Sequence, residues 1–329
     1  MSLTPLQKTK DLGTNFWNDS CDPEELSEAV KAGATGATSN PVIVHTVVKS
    51  HKAQLIPVLK NLIKEFPRAT EDEIAWQLIG RLGVDAAALL NKTGDLSIQV
   101  NPKYYRNPDL MFEQGVELAS IAPNIAIKAP CTKSGLETYK RLSDQGIRVN
   151  ATVSFSVAQA VAAGEMIKDG YVTIMVGRLD DHLQRIAVKE NIEISSEVMR
   201  WAGVAVFKKA HEIFKKRGFG ATLLVAAYRH ELHWSQLIGD KVLMTMPYIW
   251  WTKFNQSNTE VKKTISDPVD PKIIDLLISK FSDFRRAYDV NGLRPHEFET
   301  FGPTVHTLDQ FLNGYQDLVV LVRSQMLES

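Results

Sequence analysis

The sequence predicts an α/β protein, a (β/α)8 TIM barrel with additional C-terminal helices. Three observations lead there. Eight short β-rich runs alternate with helical patterns, which is the signature of parallel βαβ units. Eight is the number of parallel strands that closes a barrel. The polar residues that interrupt these runs gather toward their C-terminal ends, where barrel active sites are built.

Gly13 to Asp19 (GTNFWND) is the first run, and DPEELSEAVKAG follows as an amphipathic helix with Asp22 at its N-cap and Gly33 just past its end. ATGATSNP (34–41) is the second, before two long helical stretches across 41–91. DLSIQVNP (95–102) precedes a helix around 107–120, and NIAIKAP (124–130) precedes one over 134–145 that ends at Gly146. IRVNATVSF (147–155) leads into a helix over 156–168, and YVTIMVG (171–177) into charged helical sequence reaching Arg217. TLLVAAY (222–228), a short helix ending near Gly239, and KVLMTMP (241–247) complete the eight. The remainder reads as helices packed on the barrel, with PHEFETFGPTVHTLDQF as a loop between them. No repeat, low-complexity segment or Pro/Gly-rich linker divides the chain. The expectation is one domain, barrel over about 12–250 and helical extension over about 251–329. A doubly wound sheet is the alternative, but no G-x-G-x-x-G or Walker motif appears.

Composition narrows the function. The 329 residues are 44% hydrophobic and 23% charged, ordinary for a globular protein. Lys plus Arg equals Asp plus Glu at 38 each, so no global field draws in nucleic acid or an acidic membrane. Cys21 and Cys131 are the two cysteines, too few for a disulfide framework, and no Cys/His ligand spacing points to zinc. The N-terminal residues lack a signal-peptide core, and no stretch approaches the roughly 20 apolar residues of a membrane span. A reduced, cytoplasmic protein without metal or cofactor is expected.

A buried parallel strand should be almost entirely Val, Ile and Leu. Here Asp19, Asn40, Gln99, Lys128, Asn150 and Thr152 intrude toward strand ends, and Arg178 and Arg229 follow strands six and seven. Buried without partners, such groups would cost a few kcal/mol each, so they must satisfy one another, water or a substrate. Alternation puts Ala126 and Lys128 on one face and Ile125 and Ile127 on the other. A lone lysine is ordinarily solvated surface, but Lys128 is flanked by apolar residues and Pro130 ends its strand. Desolvation in a barrel mouth lowers its pKa toward a nucleophilic amine. Asp19 could then act as general acid/base, and Arg178 with Arg229 as a fork for phosphate.

GATGATSNPVIV, LSIQVNP, NIAIKAPCTKSGLETYKRLSDQGIRVNATVSFSVAQA, VGRLDD and LLVAAYRH, in that order and spacing, resemble the transaldolase family over roughly residues 12–250. The resemblance implies a class I aldolase barrel with Lys128 as Schiff-base lysine on strand four and Asp19 as the acid/base for C–C cleavage. It implies Thr152 as the residue orienting a catalytic water, and Asn40 and Asn150 as partners of the hydroxyls of a three-carbon unit. Arg178 and Arg229 match the phosphate-binding arginines, and Thr173 joins the substrate-binding set. The implied reaction passes a dihydroxyacetone unit between sugar phosphates in the pentose phosphate pathway, without cofactor, and the implied assembly is a homodimer.

Two departures touch proton transfer. Gln99 stands where transaldolases carry Glu, and it can hold a water but not take its proton. The fructose-6-phosphate aldolase branch also has Gln there, but compensates with a Tyr on strand six, where this chain has Met175. Ala227 replaces a serine that helps to bind phosphate. The alternatives are a plain aldolase releasing free ketone, action on a non-standard sugar, and a decayed sugar-phosphate-binding protein. Other residues take structural readings. Trp250 and Trp251 pack the tail. His230 and His233 lack a third metal ligand, and Cys131 is a small packing residue. Asp180, Asp181 and His182 cap or face solvent, with Asp181 available to support Arg178.

Overall fold

All eight predicted strands form, and they close. In the computed structural model, which describes residues 3–90 and 94–328, β1 (Thr14–Asn18), β2 (Gly36–Thr38), β3 (Asp95–Gln99) and β4 (Ile125–Pro130) pair in parallel with their chain neighbours. β5 (Val149–Ser154), β6 (Gly170–Met175), β7 (Thr222–Ala226) and β8 (Val242–Met246) continue the series, and β8 pairs with β1. The result is a closed barrel in sequence order. Every residue of β3, β4 and β5 is buried, as strands walled on both faces require.

α1 (Pro5–Asp11) precedes the barrel. Between strands lie α2 (Pro23–Lys31), then α3 (Pro41–Ser50), α4 (Lys52–Glu65) and α5 (Glu71–Leu90), then α6 (Pro108–Ala119), α7 (Lys133–Asp144) and α8 (Val157–Met166). α9 (Val176–Glu190), α10 (Ser196–Met199) and α11 (Ala202–Arg217) follow β6, and α12 (Leu232–Ser235) follows β7. Beyond β8 come α13 (Tyr248–Asn255), α14 (Pro271–Lys280), α15 (Ser282–Tyr288) and α16 (Gly302–Leu327). Helix starts follow local chemistry. Asp22 caps α2 by accepting from the Glu24 and Glu25 N–H groups, Pro23 occupies the first turn, and Gly33 follows the helix at φ 102°.

Two expectations give way. The stretch 41–91 holds three helices rather than two, because His51 leaves helical geometry (φ −112°, ψ 42°) between α3 and α4; residue 91 lies outside the described residues. PHEFETFGPTVHTLDQF is not a loop. Pro295–Thr300 is a 3₁₀ helix, and α16 begins at Gly302 with Pro303 in its first turn. Proline is favoured at just such first-turn positions, where its missing N–H costs nothing, so prolines that read as loop chemistry mark two helix starts. α16 runs 26 residues across α3, α4, α5 and α9 and fastens the tail to the barrel. No helix among the described residues is long and apolar enough to cross a membrane.

Candidate active site

The barrel register places Gln99 beside Lys128 and Lys128 beside Asn150 on three successive strands. Lys128 is buried, and its Nζ donates to the Ser39 carbonyl at 3.2 Å. Burial lowers its pKa from the ordinary 10.5 to about 8; Asp19 opposes the shift and Arg178 adds to it. Asp19, one residue past β1, accepts from Thr38 Oγ1 at 2.6 Å. Thr38 lies 2.6 Å from Thr245 Oγ1, so with its own proton given to Asp19 it accepts from Thr245. β2 and β8 thus aim a chain of two hydroxyls at the carboxylate that follows β1.

These groups open onto a cleft of about 630 Å³, its mouth included, lined by Asp19, Asn40, Lys128, Thr173, Arg178 and Arg229 among others. Six of the nine predicted site residues therefore share one cavity. The other three, Gln99, Asn150 and Thr152, are buried in the strands beside Lys128 and do not line it. Asn150 donates to Ser97 Oγ at 2.9 Å and accepts from Thr173 Oγ1 at 2.7 Å, so it holds a residue that does. Asn40 Oδ1 caps α3 through the Ile43 N–H, which leaves its amide hydrogens for a ligand. Gln99 Oε1 and Thr152 Oγ1 have no hydrogen-bond partner among the described residues.

The two arginines reach the mouth from different supports. Arg178, in the first turn of α9, crosses to α16, where it meets Gln310 and, at 3.4 Å, Thr307 Oγ1. Arg229 is gripped by Asp181 through Nε at 3.0 and 3.1 Å and Nη2 at 2.7 Å. Asp181 thus hydrogen-bonds Arg229, while it supports the Arg178 charge only through space and the tail helix supplies the Arg178 hydrogen bonds. Nor do its neighbours face solvent. His182 is buried and pairs with Asp283 at 2.7 Å, and Asp180 is buried.

The strand-seven exit is irregular. Ala227 has φ +65°, a left-handed conformation uncommon for a residue with a Cβ. Regular alternation is broken there, and Ala226, Ala227, Tyr228 and Arg229 all line the cleft consecutively. Gly177 makes this path possible, because a Cβ on it would lie 2.0 Å from the Ala227 carbonyl oxygen and 2.6 Å from Arg229 Cγ. Two strands away, on β5, Val153 has φ +56° at a register shift between Ala151 and Ser154. Strained backbone at the strand-seven exit, where four consecutive residues line the cleft, is the pattern of a functional site.

Asp180, His230 and His233 do form a three-ligand cluster, with candidate ligand atoms all within 4.8 Å. The expectation that no third ligand accompanies the histidines is corrected. The hydrogen bonds nevertheless fit a relay better than a metal. The Arg229 N–H donates to His233 Nδ1 at 3.1 Å, so Nδ1 carries no proton. The neutral ring must then carry it on Nε2, which faces Asp180 Oδ2 at 2.8 Å. Burial holds His233 below the usual histidine pKa, in agreement with a neutral ring. A metal on Nε2 would displace that proton and leave an imidazolate. Asp180 also accepts from the Gly203 N–H at the start of α11, at 2.9 Å.

Several residues at the cleft escaped the sequence reading. Thr38 and Thr245 are polar residues in buried strands, and the rule that found Lys128 reaches them equally. Tyr228 passes as an apolar strand residue. Trp251 packs the tail as expected, its Nε1 donating to Asn18 Oδ1 at 3.2 Å, but Trp250 lines the cleft. Cys131 is buried, consistent with a packing role.

Comparison with known proteins accords with this architecture. The family model described as Transaldolase/Fructose-6-phosphate aldolase matches residues 16–288. A "Probable transaldolase" of Chlorobium phaeobacteroides (strain BS1) is 31% identical over 219 residues, 66% of this chain and 79% of that protein. Another of Geobacter sp. (strain M21) is 28% identical over 258 residues, covering 77% and 96% respectively. A third, of Dehalococcoides mccartyi, is 28% identical over 232 residues, covering 70% and 85%. With its closed barrel and a match over most of its length, the chain belongs to the transaldolase/fructose-6-phosphate aldolase family.

Proposed function

We propose that this chain is a Schiff-base enzyme of the transaldolase type, moving a dihydroxyacetone unit between sugar phosphates. One observation carries the proposal: a buried lysine with pKa about 8 shares a cleft with a carboxylate and two arginines. At pH 7 roughly one Lys128 in ten is a neutral amine, against roughly three in ten thousand for an ordinary lysine. Its lone pair attacks the ketose carbonyl, and loss of water leaves an imine. Asp19, oriented by Thr38, takes the C4 hydroxyl proton as the C3–C4 bond breaks and its electrons flow into the imine. The enamine then adds to an acceptor aldehyde. Arg178 and Arg229 bind the phosphate, Asn40 binds a hydroxyl, Asn150 holds Thr173 at the cleft wall for the same task, and Thr152 with Gln99 holds the water. Small sugar phosphates are the proposed partners, with a homodimer as the proposed assembly.

Borohydride reduction with candidate ketose phosphates tests this. The expected result is a mass increase on the peptide containing Lys128. An unchanged peptide across a broad ketose panel refutes it. Gln99 favours a second reading, in which the ketone is released to solvent because no carboxylate relays protons through the water. Free dihydroxyacetone in an assay without acceptor aldehyde distinguishes that aldolase from a transferase.

A further inference from the structure

The Schiff-base reading leaves one task without an evident agent. Formation of an imine drives the substrate's carbonyl oxygen first to a developing oxyanion and then off as water. Gln99 cannot deliver a proton from a carboxyl, and Met175, which lines the cleft, has no proton to give. Tyr228 lines that cleft too, and it is buried to 1% exposure. Its hydroxyl has no hydrogen-bond partner among the described residues. A buried phenol without a partner is costly, and tyrosines in protein cores ordinarily find one. Its ring is fixed edge-on against Phe254 and His233, at 5.8 and 6.3 Å between centroids. It occupies this position because the left-handed Ala227 turns the chain and Gly177 clears the path. Strained backbone thus brings an unsatisfied donor to the wall of the cavity that holds Lys128.

Resting on the Schiff-base reading, we propose that the Tyr228 hydroxyl is a catalytic hydrogen-bond donor to the oxygen on the carbon that Lys128 attacks. The Nζ lone pair forms the C–N bond and the carbonyl π pair moves onto oxygen, where Tyr228 O–H meets the developing charge. The nitrogen lone pair then forms C=N as the C–O bond breaks. The oxygen leaves as water, with one proton from the amine nitrogen and one from solvent. Tyr228 stays a neutral phenol throughout and needs no reprotonation. Burial, reinforced by the Asp19 carboxylate, holds its pKa well above the ordinary tyrosine value, so the donor form persists at any working pH.

Tyr228→Phe removes the hydroxyl and keeps the ring contacts. The experiment follows the time course of borohydride-trapped dihydroxyacetone on Lys128 by intact mass, with thermal unfolding of each protein alongside. The variant should trap about 10²-fold more slowly at saturating ketone, the loss expected for one oxyanion donor. Its half-saturating concentration should change little. Its Tm should equal or exceed that of the wild type, because no protein partner loses a bond. Trapping at the wild-type rate overturns the proposal. So does a fall in Tm or loss of fold, which would show that the hydroxyl serves the structure. A wild-type protein that traps no ketone fails the Schiff-base reading itself, and the role of Tyr228 with it. Wild-type trapping with an unaffected variant refutes the tyrosine alone.

Discussion

Replacing Lys128 with Met should stabilise the protein at neutral pH, and by an amount that depends on pH. Lowering the lysine pKa from 10.5 to about 8 means that the folded state disfavours the ammonium. Between those values the unfolded chain binds more protons than the folded one, so stability contributed by this site rises with pH. At pH 7 the burial of Lys128 costs about 3 kcal/mol, and at pH 10 about 1 kcal/mol. Met fills a similar volume without a charge and forgoes the bond to the Ser39 carbonyl. That bond and the packing differences are nearly pH-independent, so the informative quantity is the change in the gap between the two proteins. Urea unfolding of wild type and Lys128→Met at pH 7 and pH 10 should show the advantage of the variant shrinking by about 2 kcal/mol. Lys208, also lowered to about 8 by burial, titrates identically in both proteins and cancels. A gap that stays constant, or widens, as pH rises would refute a desolvated Lys128 and with it the source of its nucleophilicity.

Gly177→Ala sets a Cβ against the Ala227 carbonyl oxygen, a backbone group that cannot swing aside. The expected loss is about 1–3 kcal/mol of stability by urea unfolding, together with a raised KM for phosphorylated substrate as Arg229 shifts. Asp180→Asn puts an amide where His233 Nε2–H and the His230 ring now meet a carboxylate. Because His233 Nδ1 is committed to the Arg229 N–H, the ring cannot switch tautomer to suit. About 2–4 kcal/mol should be lost by the same measurement; an unchanged midpoint would mean that the relay is not formed.

Much of this was legible because burial and alternation are strict rules inside a barrel. Asp22 as a cap, Lys128 as an intruder on an apolar strand, and the polar ends of β1, β3 and β5 all follow from what a packed parallel strand tolerates. Long-range pairing was not legible. Arg178 meets Gln310 across 132 positions, and nothing local to VGRLDD says that the tail helix, rather than Asp181, will hold it. Nor could period-two reading find Tyr228, and the reason is physical. Alternation assigns a side chain to a face only while the strand stays regular, and Ala227 at φ +65° leaves the regular strand just where the cavity begins. Val153 does the same at the end of β5. Each such residue stores of order 1–3 kcal/mol of backbone strain, which local preference alone would remove. The packing that enforces it comes from elsewhere in the chain, in one case from the bare Gly177. Tyr228, whose direction period-two reading misjudges, is therefore a residue that the fold has turned, at some cost, to the wall of the cleft.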